Sequence, residues 1–195
     1  MRQRGFTILE VAIAITLAAF ILMSAMPSIS SWMRSTRMRT TAESIINGLM
    51  QARNEAVRRN QPVSFYLLSD SGPTSMSDSC ALSSTGTGWV VALASPVGKC
   101  ATDSNTFIAM RPLGDAANGL NVTADGNTVT FNGYGQVSNA GAINCIKFSN
   151  TSDTTVRTLA IGVQSGGQVR MCDAKVSDSN DPRYCIAPAK PTDGC

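Results

Sequence analysis

The sequence predicts an α+β protein, in which a long N-terminal helix packs on an antiparallel, disulfide-stapled β-sheet domain. The chain has 195 residues, and its first third holds an uncharged run from Val11 to Met33 followed by a helical pattern as far as Pro62. Beyond Pro62, short β-branched and aromatic segments alternate with Gly- and Ser-rich turns, which is typical of strands. All six cysteines lie in this later part at wide spacings, as in domains stapled by disulfides in an oxidising compartment.

The first predicted element is a membrane-spanning helix over residues 6–33. Its uncharged run from Val11 is 23 residues long, and about 20 apolar residues span a bilayer core. A cleaved secretory signal or a plain membrane anchor would also begin with a short basic segment and an apolar run. Neither alternative explains Glu10, because a carboxylate inside an apolar helix costs on the order of a few kcal/mol in lipid and needs a partner.

The second predicted element is an amphipathic helix over residues 34–61. Apolar residues recur at the spacing of one helix face, and these are Ala42, Ile45, Ile46, Leu49, Ala52 and Ala56. Gly48 is interpreted as a tolerated interior glycine, and Pro62 stops the helix. Arg58 and Arg59 are expected to form a solvated helix end that the macrodipole favours.

The β-domain over residues 62–172 is predicted from segments that are rich in β-branched and aromatic residues. The predicted strands are 63–68, 88–94, 106–110, 120–123, 128–131, 144–148, 157–163 and the hairpin 166–172. The glycines of Asn132–Val137 supply the positive φ that a tight turn needs. Residues 173–195 are polar, contain three prolines and are expected to be a loop that cysteines hold in place.

The cysteines predict disulfides and not a metal knuckle or a redox centre, because no pair has Cys-x-x-Cys spacing. They are Cys80, Cys100, Cys145, Cys172, Cys185 and Cys195. Sequence cannot select their pairing. One hypothesis pairs them in chain order, as Cys80–Cys100 around one strand, Cys145–Cys172 on neighbouring strands and Cys185–Cys195 in the tail. Each bridge would stabilise the fold by about 2 to 4 kcal/mol.

No catalytic, cofactor or metal site is predicted, and the sequence indicates a protein that is not an enzyme. The chain has no histidine, which removes the commonest general base and the commonest zinc ligand. The oxygen-rich segment Ser177–Asp181 matches no calcium-loop spacing, so a solvated turn is the favoured interpretation. Residues 34–61 hold six arginines against two glutamates, but residues 62–195 hold eight Lys or Arg against ten Asp. The later part therefore lacks the general basic character that nucleic-acid binding needs.

Three segments carry a resemblance to a known family. Arg4–Val11 resembles the class III signal of type IV prepilins, in which a short basic leader ends in Gly before Phe and a Glu follows in the mature chain. Gln51–Val63 resembles a stretch of GspH/FimT-type minor pilins and pseudopilins, and Thr128–Val137 resembles a turn of the same family. The resemblance implies a type IV pilin-like fold, with a long helix that is first transmembrane and then amphipathic.

The resemblance also implies roles for individual residues. A prepilin peptidase would remove the leader, residues 1–5, by cutting between Gly5 and Phe6, and would methylate the new Phe6 amine. In a filament, Glu10 would pair with the Phe6 amine of a neighbouring subunit, since a buried carboxylate needs a cationic partner. Pro27 would loosen the helix during assembly, because proline removes one helical hydrogen bond.

The implied function is structural: a subunit that helps to initiate or cap a type IV pilus or a type II secretion pseudopilus. Its implied partners are other pilins through residues 6–33, the prepilin peptidase and the bacterial inner membrane, with the β-domain in the periplasm, where disulfides form. A tip adhesin is one alternative. DNA uptake is another, because some family members bind DNA through a GRxR segment. In this chain Gln168 replaces the first arginine and Arg170 alone carries over, which disfavours DNA.

Overall fold

The computed structural model describes residues 7–69, 75–102, 106–112, 119–150 and 157–186, with the backbone alone at 24–28. This part of the chain contains one helix, α1 (Ile8–Arg59), and nine strands. The strands are β1 (Val63–Ser69), β2 (Ala81–Leu82), β3 (Gly88–Ala92), β4 (Phe107–Arg111), β5 (Leu120–Ala124), β6 (Thr128–Phe131), β7 (Cys145–Asn150), β8 (Leu159–Val163) and β9 (Val169–Asp173). The predicted α+β class is confirmed, because one long helix precedes an entirely antiparallel set of strands.

Helix α1 confirms the predicted long helix, in which the apolar segment continues without a break into the amphipathic one. It is 52 residues long, so it extends about 78 Å at the usual helical rise. Its backbone stays helical through Pro27, whose side chain lies outside the described part. The helix ends where Asn60 adopts a left-handed conformation (φ 50°) and the N–H of Gln61 donates to the Ala56 carbonyl at 3.2 Å. This is a Schellman-type cap, and Pro62 follows it, as the sequence predicts.

The strands form two antiparallel sheets. In the first sheet β1 is central, with β3 and then β4 along one edge and with β6 and β2 along the other. The second sheet has the order β5-β7-β8-β9. Helix α1 packs on both sheets and shares one core with them, built from large side chains that include Leu49, Phe65, Phe131, Phe148 and Ile161. The sequence predicts the strands but not their division into two sheets.

The strand predictions are confirmed within a few residues, except for β2, which they missed. This strand has two residues, both exposed, and it lies in a Ser-rich stretch with no alternating pattern. It is defined by its pairing with the end of β1, where Leu82 lies opposite Leu68. Strand β3 ends at Ala92, earlier than predicted, next to a register shift in its pairing with β4.

The outer face of each sheet carries a smaller cluster that includes disulfide cysteines. On the first sheet, Tyr66 and Leu68 alternate with core-facing residues of β1 and pack with Cys80 and Cys100. These cysteines are bonded, with Cα atoms 6.2 Å apart, so the first predicted bridge is confirmed. On the second sheet the outer cluster contains Cys145, Ala160, Cys172 and Cys185.

The second disulfide corrects the predicted pairing. Cys172 is bonded to Cys185, with Cα atoms 5.1 Å apart, and not to Cys145. Strand β8 runs between the strands of Cys145 and Cys172, so two strand spacings of about 4.8 Å separate these residues. A disulfide requires Cα atoms within about 7 Å, and Cys185, once engaged, is unavailable to Cys195. Cys145 is disulfide-bonded, while Cys195 lies outside the described residues.

Candidate assembly interface

The N-terminal half of α1 exposes its side chains on every face. From Thr7 to Met23 each side chain is exposed, with Ile8 at 91% and Phe20 at 78% of their full accessibility. A helix that is apolar on all faces is normally buried in a larger structure. Within the described residues, no helix reaches the combination of length and mean hydropathy that a membrane crossing requires.

Glu10 lies in the first turn of this exposed half. Its backbone N–H donates to the hydroxyl of Thr7, the N-cap residue, at 3.2 Å. Thr7 and Glu10 have the spacing of a capping box, and the helix dipole favours a negative charge here. Thr7 is not among the predicted site residues, although its T-x-x-E spacing with Glu10 is a sequence signal of an N-cap. The exposed Glu10 carboxylate forms no ion pair with another described residue, and Gly5 and Phe6 lie outside that part of the chain.

From Met38 onward, one face of α1 packs on the sheets. The predicted apolar stripe is confirmed, with Ala42, Ile45, Leu49, Ala52 and Ala56 fully buried and Ile46 partly buried. Met38, which is 1% exposed, extends the stripe by one turn toward the N-terminus. Residues three and four positions apart lie on one helix face, so this half of α1 is stabilised by its own domain.

Gly48 marks a close approach between α1 and the first sheet. A Cβ atom at this position would lie 2.9 Å from ring atoms of both Phe65 and Trp89. The two rings stack with their centroids 5.9 Å apart, and Trp89 Nε1 donates to the Ser44 hydroxyl at 3.0 Å. The interpretation of Gly48 as merely tolerated is therefore incomplete, because the packing requires a residue without a side chain.

Arg53 fastens the C-terminal part of α1 to the predicted hairpin turn. Its Nε donates to the carbonyl of Gly135, 82 positions later in the chain, at 3.0 Å. Gly135 has a positive φ of 74°, and the Asn132 side chain accepts from the N–H groups of Tyr134 and Gln136 at 3.0 Å. The turn is confirmed. The role of Arg53 has no local signal in the sequence, because its partner is a backbone carbonyl distant in the chain.

Glu55 forms ion pairs with Arg58 and Arg59 at the C-terminal end of α1. Arg58 Nη2 lies 2.6 Å and Arg59 Nε lies 2.8 Å from Glu55 Oε2. Hydrogen bonds from Arg58 and then from Arg59 lower the pKa of Glu55 to about 2. The two arginines therefore satisfy a neighbouring carboxylate as well as the negative end of the helix dipole.

Arg170 is an exposed residue of β9 that forms a hydrogen bond within the chain. Its Nη2 donates to the Pro182 carbonyl at 2.5 Å, which fastens the following tail to β9. The segment Ser177–Asp181 is a hydrogen-bonded turn in which Asp181 pairs with Arg183 at 2.7 Å. Among the described residues, no group of three His, Cys, Asp or Glu side chains is arranged to hold a metal ion.

The two halves of α1 fall under two separate family matches. Residues 41–188, which include most of the packed half of α1 and both sheets, match the family described as type II transport protein GspH. The chain belongs to the GspH family. Residues 1–26, which include Glu10, match the prokaryotic N-terminal methylation motif. The segments on which the resemblance rested lie within these two matches, and the predicted family is confirmed.

The fold is similar to two crystal structures of the type IV minor pilin FimU from Pseudomonas aeruginosa strain PAO1. One is 16% identical with a TM-score of 0.49, covering 70% of this GspH-family chain and 88% of FimU. The other is 15% identical with a TM-score of 0.44, covering 68% of this chain and 90% of FimU. Both TM-scores are modest, so family membership rests on the sequence matches. No curated protein sequence matches the chain.

A GspH-family chain with an N-terminal methylation motif has the structural role of a minor pilin or pseudopilin. Family membership implies other pilins as its partners and the N-terminal helix as its membrane anchor. Two parts of α1 serve this role in different ways. The first half of α1 exposes an apolar surface, and the second half carries the β-domain.

Proposed function

We propose that this chain is a low-abundance subunit that initiates or caps a pilin-type filament, either a type IV pilus or a type II secretion pseudopilus. The observation that carries the proposal is the exposed half of α1, which is apolar on every face between Ile8 and Met23 except at Glu10 and Thr16. Extended apolar surfaces mark membrane or protein contacts. Lipid covers this surface before assembly, and helices of neighbouring subunits cover it afterwards.

Processing precedes assembly in this proposal. A prepilin peptidase cuts between Gly5 and Phe6 and methylates the new amine of Phe6. The match of residues 1–26 to the N-terminal methylation motif supports this step. Removal of the leader leaves Thr7 in place as the N-cap, so the mature helix keeps the hydroxyl that accepts from the Glu10 N–H.

Glu10 then sets the axial position of the subunit in the helical bundle. Its carboxylate lies in the first turn and forms no ion pair with another described residue. A carboxylate that becomes buried among apolar helices requires a cation, and the Phe6 amine of the adjacent subunit supplies it. Pro27 loosens the helical turn that precedes it during assembly, because proline removes one backbone hydrogen bond.

The β-domain lies on the periplasmic side of the inner membrane in this proposal. Two disulfides in the described residues, Cys80–Cys100 and Cys172–Cys185, support an oxidising compartment. The DNA-uptake alternative is not favoured, because Arg170 already donates to the Pro182 carbonyl and phosphate binding needs several clustered cations.

Mass spectrometry of sheared surface filaments and of the envelope fraction tests the proposal. We expect a peptide that begins with N-methylated Phe6. Its recovery from sheared filaments at low stoichiometry identifies a type IV pilus subunit, and its recovery from the envelope alone identifies a secretion pseudopilus subunit. Recovery of the chain with an intact leader, residues 1–5, from functional cells would overturn the processing step.

A further inference from the structure

We propose that a cationic groove beside the point where α1 leaves the β-domain binds the phosphate of an anionic phospholipid headgroup. This inference rests on the proposed membrane anchorage of α1. The groove has a volume of about 300 Å³. It is lined by Met38 and Arg39 from the helix, by Arg157 just before β8, by Asp173 at the end of β9 and by Arg183 from the tail. Its position, charge and rigidity each favour such a ligand.

The groove lies just beyond the apolar end of α1. The uncharged run ends at Met33, and Arg39 follows about 9 Å further along the helix axis at the usual rise. Trp32 is 68% exposed in the last turn of the run, and tryptophan side chains concentrate at the headgroup level of membranes. When the apolar run lies in lipid, the groove therefore lies at the depth of the phosphate groups.

Three arginines, Arg39, Arg157 and Arg183, and one aspartate, Asp173, line this groove. Arg39 and Arg183 are each paired with an acid on their own segment at 2.7 Å, but exposed ion pairs contribute little and exchange readily. Arg157 is exposed, and it forms no hydrogen bond or ion pair with another described residue. The planar guanidinium fork matches phosphate oxygens, so Arg157 supplies the contact that is not already occupied.

The tail side of the groove is held rigidly. The Asp173 N–H donates to the Arg183 carbonyl at 2.8 Å, and Arg170 donates to the Pro182 carbonyl at 2.5 Å. The Cys172–Cys185 disulfide fastens the same segment to β9. A preformed site loses little freedom when a ligand binds. In this view the second disulfide and Arg170 are positioning elements for Arg183.

Native mass spectrometry of the full-length chain in detergent tests this proposal. The chain is titrated with phosphatidylglycerol, which is anionic, and with phosphatidylcholine, which is zwitterionic. We expect the wild type to retain phosphatidylglycerol preferentially, and Arg157→Gln to lose about fivefold of that preference, as one arginine near an anionic headgroup contributes. Arg111→Gln is the matched control, because Arg111 is an exposed arginine on β4, outside the groove.

Three results would overturn the inference. The wild type could retain both lipids equally, or Arg111→Gln could reduce the preference as much as Arg157→Gln does. Inorganic phosphate or duplex DNA could displace the lipid, which would identify a free anion or a nucleic acid as the ligand. Carbonate extraction of membranes from cells that express the chain distinguishes a failure of this inference from a failure of the proposed function. A chain that stays in the membrane without lipid preference contradicts the groove alone, and a chain that is washed out contradicts the anchorage itself.

Discussion

The two halves of α1 form one continuous helix in opposite environments. Between Thr7 and Met23 every side chain is exposed and nearly all are apolar, whereas from Met38 to Arg59 the apolar side chains lie mostly on one buried face. The same backbone hydrogen bonding builds both halves, but among the described residues only the second half packs on the β-domain. The difference shows that α1 serves two partners, its own β-domain and a surface outside the chain.

The largest expected effect comes from Glu10→Ala, which removes the proposed assembly contact of the exposed half of α1 and leaves the contacts of the packed half unchanged. Removal of one partner from a buried ion pair costs about 3 to 5 kcal/mol, so we expect incorporation into filaments to fall at least about tenfold. Membrane retention should stay unchanged, because the substitution makes the helix more apolar. Quantitative mass spectrometry of sheared filaments measures the first quantity, and carbonate extraction measures the second.

Glu43→Ala is the matched control for that experiment. Glu43 is an exposed glutamate on the packed half of α1, where it pairs with Arg39 at 2.7 Å, and surface pairs contribute about 0 to 1 kcal/mol. The Glu43→Ala variant should therefore be incorporated into filaments like the wild type. Normal assembly of Glu10→Ala as well would remove the ion-pair explanation for Glu10.

The same substitution in each half sharpens the comparison. Leu49→Ala removes a fully buried side chain and should lower the free energy of unfolding by about 2 to 5 kcal/mol. Leu17→Ala removes a side chain that is 59% exposed and should change it by less than about 0.5 kcal/mol. Urea unfolding of the chain in detergent, followed by Trp89 fluorescence in a Trp32→Phe background, measures both. Equal losses would contradict the division of α1 into two halves.

Gly48→Ala tests the close approach of the packed half to the first sheet. Alanine favours a helix over glycine by about 1 kcal/mol, but its Cβ would lie 2.9 Å from the rings of Phe65 and Trp89. Overpacking costs about 1 to 3 kcal/mol, so we expect a net loss of stability in urea unfolding. Gly166→Ala is the control, because a Cβ there would meet no atom within 4 Å. A stabilised Gly48→Ala variant would show that the rings move aside.

The smallest expected effect is the pH dependence at the end of the packed half. The pKa of Glu55 is lowered from 4.5 to about 2 by Arg58 and Arg59. A lowered pKa in the folded state stabilises the protein above the unfolded pKa, and this contribution is lost as the pH falls. The stability difference between wild type and Glu55→Gln should therefore be constant above about pH 5 and should fade toward pH 2.

An Arg58→Gln and Arg59→Gln background controls the pH experiment. Without its two partners, Glu55 should titrate alike in the folded and unfolded states, so Glu55→Gln should show no pH-dependent difference there. Urea unfolding across the acid range measures all four variants. A pH dependence that survives in the background would assign the lowered pKa to another cause.

Local features of the chain were predictable because each depends on neighbouring residues. The apolar stripe of α1 follows from a period that is visible between Ala42 and Ala56, and the helix end follows from Pro62. Strands with β-branched runs were also found within a few residues. Glu10 is predicted as a functional residue because a charge in an apolar run is costly when the helix lies in lipid.

Features that depend on distant residues escaped sequence reasoning. The helical pattern predicts only that Gly48 is tolerated, although the rings of Phe65 on β1 and Trp89 on β3 leave no room for a side chain there. Arg53 was not singled out, because its partner is a backbone carbonyl that is 82 positions away. The groove between α1 and the tail combines residues from 35 to 183, and their proximity has no counterpart in the order of the chain.

The sequence by itself determined the long helix, the number and order of most strands, the disulfide-rich character of the domain and the family to which the chain belongs. These follow from periodicity, composition and short motifs, which act over a few residues. The tertiary structure alone decided the division into two sheets, the Cys172–Cys185 bridge and the close packing at Gly48. The physical reason is that strand order sets which cysteines and side chains come within bonding distance, and strand order is a property of long-range pairing.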